Sequence, residues 1–158
     1  MRITFLSVVL ALATLVLSAV AQARTITDTE VRELTLAFIN ALKRSDIDGA
    51  RRISDVPFLA EDDRLLVSED EFDAYFREAL AIARPDAFPN QVLVVRDFEG
   101  TRHLAGPSKL GLRDQVMRSG DVLVVVERSG ERGVVLIGDR DGEVVVNGFG
   151  SCDGDAFC

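Results

Sequence analysis

The chain has 158 residues, 47% hydrophobic and 28% charged, a length near one domain with the apolar share of a folded protein. A net charge of −8 argues against nucleic acid as a partner, because displacing counterions from phosphates takes a basic surface. One histidine and two cysteines exclude a multi-histidine metal centre, a Cys/His zinc site and a disulfide-dense scaffold; no metal and no cofactor is expected.

Residues 1–23 read as an export signal. Arg2 supplies the positive start, residues 3–20 are apolar and uncharged, and Ala21-Gln22-Ala23 is an A-x-A cleavage site. About 18 apolar residues also just span a bilayer, but the small residues and the cleavage site favour removal. Arg24 would then begin a mature chain of net charge −9 without a second long apolar segment. That chain is expected in the periplasm or outside the cell, soluble and off the membrane. Residues 24–150 read as a single domain and residues 151–158 as a tail.

The first predicted helix covers residues 28–44. Thr27 and Glu30 write a capping box, with Ile26 and Val31 at the flanking staple positions. Val31, Leu34, Phe38, Ala41 and Leu42 form one apolar stripe; Leu36 and Ile39 fall outside it, so the helix is expected to touch two surfaces. Residues 45–48 restart the chain as a short helix whose buried side is Ile47, Ala50 and Ile53. The pieces 56–60 and 64–67, separated by the acidic turn 61–63, read as a small hairpin. Ser68 and Glu71 write a second capping box, with Val67 and Phe72 as its staple. Phe72, Tyr75, Phe76, Ala79, Ile82 and Ala83 are expected on one face of that helix, which cannot continue past Pro85. Arg51-Arg52 reads as a solvated basic pair.

The period changes from residue 91. Residues 92–98 read as a strand and 109–118 as a short helix weakened by Gly111. Strands follow over 122–128, 133–139 and 143–149, with Asp141-Gly142 a strong hairpin signal. Their runs, such as Val122-Leu123-Val124-Val125-Val126, do not alternate apolar with polar. Both faces of the sheet therefore need cover. The two long helices cover one; the short helix near Ser108, the tail or a second copy of the chain covers the other. A homodimer through the outer face is one expectation.

The order helix, short helix, hairpin, helix, curved antiparallel sheet, with Phe38-Ile39-Asn40-Ala41-Leu42, Asp46 and Val56-Pro57-Phe58 in place, resembles the nuclear transport factor 2-like, or SnoaL-like, superfamily. The resemblance implies an α+β cone: N-terminal helices on a curved antiparallel sheet of the cystatin-like kind, with a pocket at the open end and dimerisation through the outer sheet face. Some members are isomerases, dehydratases or hydrolases; many are binding or assembly domains.

The pocket wall is expected to draw on Tyr75 and Phe76 from the third helix and on Asp97 and Phe98 from the first long strand, with His103 at the mouth. Tyr75 also suits a core aromatic, and Asp97 and His103 suit a solvated strand end and loop. No catalytic set can be placed residue by residue. Cys152 and Cys158 bracket five residues, and in an oxidising compartment an even pair favours a disulfide. The leading expectation is a noncatalytic exported domain that binds a small apolar ligand or a partner. The alternatives are a cone-pocket enzyme and an envelope assembly domain.

Overall fold

The computed structural model describes residues 25–61, 64–84, 88–89, 91–97, 107–128 and 131–151, with the backbone alone in 93–97, 107–110 and 128. The export signal, Phe98, His103, Cys152 and Cys158 lie outside the described residues, so the placement of the pocket mouth and of the disulfide does too.

Helix α1 (Asp28–Lys43) begins as its sequence dictates. The Thr27 hydroxyl oxygen accepts from the Glu30 amide at 3.3 Å, and the Glu30 carboxylate accepts from the Thr27 amide at 3.0 Å. Val31, Phe38, Ala41 and Leu42 are buried and Leu34 packs against the same core. Ile39 is buried in that same core and Leu36 is 40% exposed, so neither residue joins a second core. Ser45 (φ 55°) turns the chain into α2 (Ile47–Arg52), capped by the Asp46 carboxylate on the Gly49 amide at 2.8 Å.

Strands β1 (Ser54–Ala60) and β2 (Arg64–Leu66) form the expected hairpin, pairing Phe58 with Leu66 and Ala60 with Arg64. In α3 (Glu69–Ile82) the Ser68 hydroxyl caps the Glu71 amide at 3.3 Å, but the Glu71 carboxylate reaches back one residue further than a capping box, to the Val67 amide at 2.8 Å. The staple does not form, because Val67 is 60% exposed. The core-facing ladder runs Phe72, Phe76 and the partly buried Leu80 at four-residue steps. Ile82 is exposed instead of joining it: two residues past Leu80 are a rotation of roughly 200°.

The remaining elements are β3 (Gln91–Asp97), α4 (Pro107–Val116), β4 (Val122–Arg128), β5 (Glu131–Arg140) and β6 (Glu143–Ser151). The sheet order is β2-β1-β6-β5-β4-β3. The ladders from β6 to β3 are antiparallel, but β1 lies parallel to β6, so the sheet is mixed where an antiparallel one was expected. The hairpin is part of this sheet, and the long connection between β1 and β6 is what a parallel pair requires. Asp141 (φ 55°) and Gly142 (φ 93°) make the two-residue turn joining Arg140 to Glu143, the mirror-image turn that matches strand twist. Asn147 is the extra residue of a bulge, since Leu136 faces Gly148 and Ile137 faces Val146; bulges bend a strand and add twist. The fold class is α+β, helices on a curved sheet.

The unalternating strands are explained by two cores. Val122, Val124, Val126, Val135, Ile137 and Val146 point inward, to Phe38 of α1 and to Phe72 and Phe76 of α3. Leu123, Val125, Val134 and Leu136 point outward, to Val116 and Met117 and to Leu112 of α4. The cover of the outer face is thus the short helix, and burial of these four residues needs no second copy.

Candidate functional site

Among the described residues, phenylalanine dominates the core on the face of the sheet that α1 and α3 cover. Phe38 stands at the centre, its ring 6.0 Å from Phe58, 5.9 Å from Phe76 and 5.8 Å from Phe149. Phe58 packs edge-on against Phe72 at 5.1 Å. Phe38, Phe58, Phe72 and Phe76 are buried. Such offset and edge-to-face pairs add about 0.5–1.5 kcal/mol each beyond area burial. Phe76 is therefore a core residue, in contact with the expected pocket neighbour Tyr75 at 5.1 Å. Tyr75 is half-buried at the rim, with the Arg64 guanidinium 5.5 Å above its ring, a cation–π distance.

Asp97 ends β3 and pairs with Val122. That strand is at the opposite edge of the sheet from β2, beside which α3 packs. Tyr75 and Phe76 are thus brought together, while Asp97 is placed on a distant edge strand next to α1. Arg32 of α1 donates to the Val92 carbonyl at 3.2 Å on the same strand.

A shallow hollow of about 40 Å3 opens between α2, β1 and the start of α3, lined by Arg51, Ser54, Asp55, Val56, Glu69 and Phe72. It admits a few waters, against roughly 300–1,000 Å3 for small-molecule pockets. Arg51 is not the solvated cation expected. Its guanidinium bridges Asp48 and Asp73, each at 2.9 Å, with Glu69 at 3.8 Å. It ties α2 to the N-terminal half of α3.

The second polar cluster lies under the outer face. Arg140 forks onto Asp121, Nη2 to Oδ2 at 2.9 Å and Nη1 to Oδ1 at 3.3 Å. Its Nη2 also donates to the carbonyl of Val116, the last residue of α4. Asp121 accepts from the Arg118 amide at 2.8 Å. With its amide turned so that oxygen faces the donors, Asn147 accepts from Arg140 Nη2 at 2.7 Å and from the Gly138 amide at 3.2 Å. Asp121 and Asn147 are buried. Asp55 approaches Arg140 Nε at 4.0 Å, so the cluster nearly meets the Arg51 hollow. None of these residues was singled out from sequence. The available signal was Asp121 itself, a charge abutting a strand buried on both faces, which must find a partner.

Among the described residues no group of three His, Cys, Asp or Glu side chains is placed to hold a metal, and no helix is long and apolar enough to cross a membrane. Arg140, Asp121 and Asn147 bond to one another and to the end of α4. No protein-family model matches the chain, and no curated protein matches its sequence. Solved structures similar to it include an NTF2-like protein of unknown function from Pseudomonas putida KT2440, with TM-score 0.49 and 11% identity over 84% of this chain and 89% of that one. An NTF2-like protein of unknown function from Shewanella oneidensis MR-1 has TM-score 0.46 and 13% identity over 78% and 96%.

Proposed function

We propose that residues 1–23 export this chain and that the mature α+β domain is noncatalytic, binding a partner at its surface rather than enclosing a ligand. The carrying observation is the interior: the rings of Phe38, Phe58, Phe72, Phe76 and Phe149 pack against one another on the face of the sheet that α1 and α3 cover. The buried charges support the same reading, since Arg140 and Asp121 are spent on each other and on helix α4.

Three measurements test this. Intact mass of protein recovered from the periplasm or medium should begin at Arg24, and alkylation without reduction should leave Cys152 and Cys158 unlabelled. Protein still carrying residues 1–23 overturns the export reading. A thermal-shift screen of apolar small molecules should give no stabilisation; a ligand at 100 times its Kd adds about 2.7 kcal/mol, well within detection. The rim pair Tyr75 and Arg64 favours the cone-pocket enzyme as the second reading. A ligand whose turnover falls in Tyr75→Phe establishes that reading instead, and one that is bound without turnover establishes a small-ligand site.

A further inference from the structure

We propose that α4 is a strap fastened to the sheet by Arg140, and that it opens as a unit while the rest of the fold stays closed. The fastening gathers three elements at one guanidinium. From the strap side come the Val116 carbonyl that ends α4 and the Arg118 amide held by Asp121. From the sheet come Arg140 at the end of β5 and the bulged Asn147 of β6. The Arg140 side chain is 11% exposed and that of Asp121 4%, so the pair is sealed from screening water. The cation sits at the C-terminal end of α4, where the helix dipole favours positive charge.

The cluster has space only because residue 138 is glycine. A Cβ there would lie 2.5 Å from Arg140 Nη1 and from the Asn147 amide, and 2.6 Å from Asp121 Cγ. The apolar seal under the strap is small and separate. Leu112, Val116 and Met117 meet Leu59, Leu123, Val125, Val134 and Leu136, and none of these belongs to the aromatic core on the other side of the sheet. Among the described contacts, opening α4 therefore gives up the outer cluster and the Arg140 fastening but leaves the inner core intact. Local opening below the global free energy is expected of such units.

The test is native-state hydrogen exchange on the mature protein across sub-denaturing urea, with trypsin cleavage after Arg113 as a second readout. Arg113 is fully buried in α4, so cleavage there reports opening. In the wild-type protein the α4 amides should exchange by an opening that is shallower in urea than that of β5 and α1. In Asp121→Asn and Arg140→Gln, exchange and cleavage at α4 should rise at least tenfold, with β5 and α1 protection moved far less. If either variant fails to fold, the wild-type urea series alone decides. Exchange of α4 in step with β5 and α1 at every urea concentration overturns the proposal, as does unchanged α4 protection in folded variants.

Discussion

Gly138 and Phe38 mark the two kinds of position at which this fold is least tolerant. At Gly138 an added methyl meets three groups already committed to one another, Arg140, Asn147 and Asp121. To move, they would have to give up those bonds, so Gly138→Ala should cost roughly 2–3 kcal/mol through overpacking, read as a lower urea midpoint. A glycine with open space around it, Gly111, should lose nothing on the same change, and it gains the helix propensity of alanine, about 1 kcal/mol at most. At Phe38 the loss is a void. The ring touches three other rings and is fully buried; Phe38→Ala should cost about 3–5 kcal/mol in the same measurement. Phe38 was legible in the sequence as the centre of an apolar stripe. Gly138 was not, because its constraint comes from side chains 17 residues before it and 9 after it, which no local pattern joins.

At the scale of elements, the local grammar of helix starts was legible and their tertiary ends were not. Thr27 satisfies both halves of its capping box, and Thr27→Ala should lower stability by about 1 kcal/mol. Ser68 makes only its own half, the Glu71 carboxylate having gone to the Val67 amide. Ser68→Ala should therefore cost no more than Thr27→Ala, a ranking that paired urea titrations resolve. Helical periodicity placed Phe72 and Phe76 correctly but carried the stripe on to Ile82, where the core had already ended at Leu80. The hairpin of β1 and β2 was visible from its turn; its parallel alignment with β6 was not, since pairing across about 90 residues leaves no local trace. Arg51 shows the same limit among charges. The sequence presents a basic pair, and only the packing of α2 on α3 makes one of the two an ion-pair centre.

For the whole molecule, the decisive fact is that one sheet separates two unequal cores. The inner one joins α1, α2 and α3 to the sheet and includes residues of β1, β2, β4, β5 and β6; among the described residues the outer one is closed by α4 and the Met117 that follows it. The sequence announced that both sheet faces were apolar and left open whether the tail, the short helix or a second chain covered the outer one. The structure answers with Leu112, Val116 and Met117. This changes what is expected in solution. Leu123, Val125, Val134 and Leu136 are buried within one chain, so a dimer through this face would first have to displace α4 and break the Arg140 fastening. The wild-type mature domain should accordingly sediment as a monomer at micromolar concentration. Chemical cross-linking should give no dimer band whose linked residues lie on β4 and β5. A stable wild-type dimer linked through β4 and β5 would mean that α4 leaves the sheet in the assembled protein, and a dimer linked elsewhere would place the interface on a different surface while leaving the outer core closed.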